Sequence, residues 1–296
     1  MQINGVEIVD TFAEAFKMYG ARILITALNE KWALNSANSL AGFATSVIMC
    51  GCEASIERMV PAEDTPDLRP GVYVLVFASS KKELEAQLMK RIGQCVMTSP
   101  TSACFNALEG EKKINIGGKL RFFGDGFQIS KLYEKRRFWR IPVMEGEFLI
   151  EEKFQIKKAV GGGNFLIIGE SVESVLKASE RAVEAVRGIE GVIAPFPGGV
   201  VRSGSKVGSQ YPFLGASTNT AYCPTVKSLV ETELLEKENS VLEIVVNGLT
   251  LESVEEAMRE GIKASCIKGV RRISAGNYGG KLGKYLINLH DLFKGD

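Results

Sequence analysis

Val241-Leu242-Glu243-Ile244-Val245-Val246 reads as an apolar strand with one carboxylate inside it, and a helix from Thr250 follows. That helix carries a stripe of Leu251, Val254, Met258 and Ile262 and leads to a second strand at Val270-Arg271-Arg272-Ile273. Glu252, Glu255 and Glu256 fall early in it, where negative charge suits the helix dipole. The same succession occurs twice more. One copy runs Phe165-Leu166-Ile167-Ile168, a helix from Ser171 with Val172, Val175, Leu176, Val183 and Val186 on one face, then Val192-Ile193-Ala194. The other runs Val72 to Phe77, a helix opened by the capping box Ser80-Lys81-Lys82-Glu83 with Leu84, Leu88 and Ile92 buried, then Gln94-Cys95-Val96-Met97.

Modules of about thirty residues in this pattern fit split β-α-β units of the ferredoxin-like type better than a solenoid. The 296 residues exceed a usual single core and suggest two lobes of roughly 150 residues. Between roughly 111 and 158 the pattern changes to hairpins, with turn signals at Gly117-Gly118 and Phe123-Gly124-Asp125-Gly126. The expected architecture is therefore α+β: two ferredoxin-like lobes, 1–145 and 146–296, built from β-α-β modules with antiparallel sheets. Gly161-Gly162-Gly163 would open the second lobe. Near the N-terminus, Thr11-Phe12-Ala13-Glu14 reads as a further capping box and Ile23 to Leu28 as an apolar run. An amphipathic helix near Trp32 to Leu40 and a strand at Ser46-Val47-Ile48-Met49 follow.

Composition excludes several classes of function. The 36 basic and 35 acidic side chains nearly cancel, which points away from nucleic acid and anionic membranes. The one basic, aromatic segment, Lys131 to Arg140, reads as a solvated hairpin face. No run approaches ~18 apolar residues, and the start lacks the features of a signal peptide, so a cytoplasmic protein is expected. The six cysteines are scattered and lack zinc spacing. The single histidine, His290, lies in an apolar C-terminal stretch suited to packing. Gly161–Gly163 precedes a strand rather than a capped helix, and no phosphate-loop pattern occurs. No metal and no cofactor is expected.

Two glycine-rich exits from apolar strands carry the binding signal. The first is Pro195-Phe196-Pro197-Gly198-Gly199 running on to Ser203-Gly204-Ser205-Lys206-Val207-Gly208-Ser209. The second is Ala275-Gly276-Asn277-Tyr278-Gly279-Gly280-Lys281-Leu282-Gly283-Lys284. Such density of glycine exposes backbone amides and admits a ligand close to the main chain. Plain flexible loops are the alternative. Glu243 is the candidate for chemistry. In a dry strand it would stay protonated near neutrality and could donate to an oxyanion. The alternative is a strand-end glutamate paired with a cation.

Over essentially its whole length the chain resembles the formylmethanofuran:tetrahydromethanopterin formyltransferases. The resemblance rests on Ile3 to Val6, Asp10 to Phe16, Ser46 to Cys50, Gly93 to Val96, Phe122 to Gly126, Gly161 to Phe165 and, most specifically, both glycine-rich exits. It implies a cofactor-free cytoplasmic homotetramer that moves a formyl group reversibly between the two coenzymes in a ternary complex. The family's acidic residue lies in a strand reading E-I-V-x-N-G-L, here Glu243 to Leu249, so the catalytic role carries to Glu243. Substrate-binding roles are extended to Asn247, to Pro197, Gly198, Gly199, Ser203, Ser205 and Lys206, and to Asn277, Tyr278, Gly279 and Lys281. A non-catalytic ferredoxin-like sensor of a small ligand is the competing reading. An acyl-enzyme on Cys50 or Cys95 would lack a histidine to activate it.

Overall fold

The computed structural model describes residues 1–294. Helices and strands form two compact units, and neither is contiguous in sequence. One comprises Met1–Phe16, Gly161–Asn247 and the chain from Leu251 onward; the other comprises Lys17–Val160 and Gly248–Thr250. The strands Phe12–Thr26 and Lys153–Gly169 are long enough for each to supply residues to both units.

In the first unit, Ile167 of the long strand pairs antiparallel with Ile273, and Ile273 pairs parallel with Ile8. Tyr285–Asn288 lies antiparallel to Phe12–Ala15. The helices Val172–Arg187 and Leu251–Ser265 cover these strands. Gly163 is bare because a Cβ there would stand 2.4 Å from Val254 and 3.1 Å from Met258 of the second helix. Gly261 lets that helix close on Phe165 and Val186 in the same way. Ser171 caps the first helix, with its hydroxyl accepting from Ser174 N–H. Val172 and Leu176, expected in the buried stripe, are exposed. The stripe is instead Val175, Ala178, Ser179, Ala182, Val183 and Val186, small residues that permit close packing.

In the second unit, residues 19–26 of the Phe12–Thr26 strand pair antiparallel with Gly71–Ala78, and 23–26 pair with Ala103–Asn106. The helices Glu30–Ala41 and Lys81–Arg91 pack Ala37, Leu40, Leu84 and Leu88 against Val72, Val74 and Val76. The pair Leu149 and Ala103 is parallel. Each unit therefore holds a parallel pair. The sheets are mixed, and the expectation of purely antiparallel sheets is corrected.

Five local expectations are also corrected. Gln94–Met97 is not a strand: the helix runs on as a wide turn over Ile92–Val96, with Met97 N–H reaching Ile92 O at 2.9 Å. Ser46–Met49 is the capped start of a short helix, Val47–Cys50, because the Ser46 hydroxyl accepts from Ile48 N–H. Thr11–Glu14 enters the Phe12–Thr26 strand, since Glu14 finds its partners far away in sequence. Gly117-Gly118 starts a short helix, and Gly161–Gly163 runs inside the Lys153–Gly169 strand. The Lys131–Arg140 segment forms an exposed hairpin, its turn residues Glu134 and Lys135 both at positive φ. His290 packs at the terminus, its Nε2 2.8 Å from Ile8 O. Among the described residues no helix is long and apolar enough to cross a membrane.

Candidate functional site

Glu243 lies at the middle of the Ser240–Gly248 strand, which pairs with Lys153–Gly169 and Val192–Ile193. Ile244 and Val246 face the core, whereas Val241, Glu243 and Val245 remain half-buried. The first glycine-rich exit returns across this strand because of a tight turn at Pro197–Gly199. Gly198 and Gly199 take φ of 64° and 88°, and a Cβ on Gly199 would stand 2.7 Å from Val183. The turn carries Val201 beside Glu243, where the two residues form an antiparallel bridge.

A cavity of about 410 Å³ opens at that bridge. Glu243 faces it with Ser203, Ser205 and Lys206 from the first exit and Asn277 and Tyr278 from the second. Six of the residues expected from the sequence thus meet in one place. The Glu243 carboxyl has no hydrogen bond or ion pair among the described residues, and burial pushes its pKa up to about 7. The Tyr278 phenol and Ser205 both line the cavity, one from each exit. Burial, and after it the charge of Glu243, raises the phenol's pKa. Lys206 Nζ donates to Thr220 Oγ1 at 2.8 Å, and Asn277 turns its amide back to Phe12 O at 3.2 Å.

The remaining expected residues lie elsewhere. Pro197, Gly198 and Gly199 form the turn and do not line the cavity. Asn247 is fully buried and accepts from Gly162 N–H at 2.9 Å, so its amide serves the strand crossing. Gly279 and Lys281 are exposed outside the cavity.

Two residues that the sequence reading did not assign to the site hold the second exit in place. Asn164 lines the cavity and clasps Gly276 twice, donating to Gly276 O at 3.1 Å and accepting from Gly276 N–H at 2.6 Å. The only local signal was an amide following three glycines. Glu14, read as a capping residue, is 1% exposed and accepts from the backbone N–H groups of Tyr278, Leu282 and Gly283.

All six cysteines are free, and of these Cys223 alone lines the cavity. Burial pushes the thiols of Cys52 and Cys266 up to about 11 and raises Cys95 and Cys104 as well. Burial also acts against the Cys50 thiolate, but hydrogen bonds from Ser46 and Thr45 and the Arg91 charge outweigh it and lower that pKa. Among the described residues no group of His, Cys, Asp and Glu could hold a metal ion.

Comparison with known proteins agrees along the whole chain. Residues 1–143 match the family described as formylmethanofuran-tetrahydromethanopterin formyltransferase, and residues 146–292 match the model of its proximal lobe. The chain is 57% identical over 296 residues to the enzyme of that name from Methylococcus capsulatus, covering 99% of both chains. It is 56% identical to that from Methanopyrus kandleri over 299 residues, covering 99% of this chain and all of the other. The solved formyltransferase from Methanosarcina barkeri superimposes with a TM-score of 0.94 at 52% identity, over 99% of this chain and 100% of that one. A chain of the formyltransferase/hydrolase complex from Methylorubrum extorquens, solved with methylofuran, gives 0.96 at 47% identity over 99% and 98% of the chains. The cavity at Glu243 therefore sits in a chain that belongs to the formylmethanofuran–tetrahydromethanopterin formyltransferase family.

Proposed function

We propose that the protein is a formyltransferase that moves a formyl group reversibly from formylmethanofuran to tetrahydromethanopterin in one-carbon metabolism. Full-length identity to enzymes of that name supports this. Donor and acceptor both bond formyl to nitrogen, so the exchange is near balance and calls for no energy-rich co-reactant. A pterin amine attacks the formyl carbon while the carbonyl π electrons move onto oxygen. The attacking nitrogen loses its proton and the leaving nitrogen gains one as the tetrahedral oxyanion collapses, so methanofuran leaves as an amine.

The protein's tasks are to align two bulky molecules in a ternary complex and to stabilise the oxyanion. The observation that carries the reading of Glu243 is its carboxyl, unpaired among the described residues, facing a cavity bounded by both glycine-rich exits. With its pKa raised to about 7, a large fraction is protonated near neutrality and can donate to the oxyanion. Ser203, Ser205, Lys206, Asn277 and Tyr278 are the cavity residues we assign to coenzyme binding. A non-catalytic sensor finds no counterpart among the relatives described above.

The same reading includes two elaborated ferredoxin-like lobes, divided near 145/146 as the two family matches are, and a cytoplasmic homotetramer. Exposed Phe122, Phe123, Phe127, Ile129 and Leu132 favour self-association. The decisive experiment is turnover of formylmethanofuran by purified protein with tetrahydromethanopterin, after chelation and without nucleotide. Formyltetrahydromethanopterin is the expected product; its absence under these conditions overturns the proposal.

A further inference from the structure

Glu14 is a carboxylate in a place where carboxylates are costly. It is 1% exposed, and among the described residues no lysine or arginine pairs with it. Its compensation is entirely backbone: Oε2 accepts from Tyr278 N–H, and Oε1 accepts from Leu282 N–H and Gly283 N–H, both at 2.9 Å. Burial by itself would raise the carboxyl's pKa, and these amides overcome that and hold it below the ordinary value. Convergence of the three amides depends on the glycines between and after them. Gly279 and Gly280 take φ of 68° and 75°, which folds the loop back on itself. At Gly283 a Cβ would stand 2.8 Å from Glu14 Cβ and 2.9 Å from Ala15 O.

The loop so gathered is the second glycine-rich exit, and its first residues, Gly276 to Tyr278, line the cavity. Tyr278 has its amide on Glu14 and its ring 6.4 Å from the Phe16 ring, and it lines the cavity with Ser205 and Glu243. We propose that Glu14 is a positioning residue for formyl transfer: its buried carboxylate gathers three backbone amides of the 276–283 loop and thereby fixes Tyr278 in the wall of the Glu243 cavity. The proposal rests on the formyl-transfer reading above. Glu14 touches no reacting atom in this scheme; it acts through Tyr278.

The test uses hydrogen exchange and kinetics on the full chain. In the unmodified protein the amides of Tyr278, Leu282 and Gly283 should be protected relative to that of Lys281. Glu14→Gln places an NH₂ group where an acceptor stood, and Glu14→Asp retracts the carboxylate; both should speed exchange within 276–283 while the helices stay protected. Formyl transfer should fall about 10–100-fold in kcat/KM, the scale of a misplaced site. In a Tyr278→Ala background, Glu14→Gln should cost less than about 3-fold more, because the residue it positions is gone. Unchanged exchange in the variants, or losses that multiply in full in the double variant, would overturn the proposal. Should neither variant fold, free exchange at those three amides in the unmodified protein overturns it. If the unmodified protein moves no formyl group, the functional reading fails by itself, and the exchange data still decide whether Glu14 holds the loop.

Discussion

Val201 and Glu243 exchange both of their backbone hydrogen bonds: Val201 N–H donates to Glu243 O at 2.8 Å, and Glu243 N–H donates to Val201 O at 2.9 Å. This single bridge joins a loop residue to a strand residue and brings a hydroxyl-bearing, glycine-rich segment beside a carboxyl that has no partner among the described residues. An antiparallel pair of this kind fixes the loop in register, so the residues after Val201 enter the cavity rather than solvent. The chemistry proposed for Glu243 rests on that placement.

Glu243→Gln keeps the shape and a hydrogen-bond donor but loses the acid. Removing one oxyanion donor typically costs ~10²–10³ in turnover, about 2.7–4 kcal/mol. We expect a fall in that range for Gln and at least as large for Ala, measured as initial rates with circular dichroism unchanged. Glu243→Asp should also be poor, because the carboxyl retracts by a methylene. Near-normal turnover in Glu243→Ala would remove the residue from the mechanism.

The pH dependence has a definite sign. The folded pKa of about 7 lies above the ordinary 4.5, so between these values the folded protein holds a proton that the unfolded chain has lost. Activity should decline on the alkaline side as Glu243 ionises, and Glu243→Gln should lack that limb. Stability moves the same way: the ionised carboxyl disfavours the fold above pH 7 by on the order of 3 kcal/mol. Thermal melts should therefore show Glu243→Gln equal to the parent near pH 5 and at least as stable at pH 8. A Gln variant that melts lower at pH 8 than at pH 5, relative to the parent, contradicts this sign.

Direct transfer requires both coenzymes at once. Initial-rate plots against one coenzyme at several concentrations of the other should intersect. Parallel lines, or labelled formyl trapped on Cys50, Cys95 or Cys223 without pterin, would establish a ping-pong route instead.

Asn247 separates fold from site. Its buried amide serves Gly162, so Asn247→Ala should leave that N–H unsatisfied and lower stability by about 1–3 kcal/mol. Denaturant titration measures this. KM for either coenzyme should stay within about 2-fold of the parent in the folded fraction, as expected for a residue outside the cavity. A large rise in KM with unchanged stability would return Asn247 to the binding site.

Assembly is the last expectation. Sedimentation at working concentration should show a tetramer. A fully active monomer would exclude any contribution from association to the site.

Much of this protein was legible in local pattern. The β-α-β modules at Phe165–Ile193 and Val241–Ile273 announce themselves because an apolar strand beside a capped 3.6-period stripe has few other ways to bury its surface. Glu243 was legible for the same reason, a charge where the pattern requires an apolar residue. Signals shorter than about a turn failed: Thr11–Glu14 and Ser46–Met49 suit a helix end or a strand equally well by local preference; distant pairing put the first in a strand, and the Ser46 cap put the second in a helix. The parallel pairs Ile273–Ile8 and Leu149–Ala103 join residues far apart in sequence, so no window of sequence contains them. Glu14 shows the limit most plainly. Sequence made it a carboxylate next to apolar neighbours, but only the folded chain brings the amides of residues 278, 282 and 283 within reach, and hydrogen-bond geometry acts over ångströms of space whatever the separation along the chain.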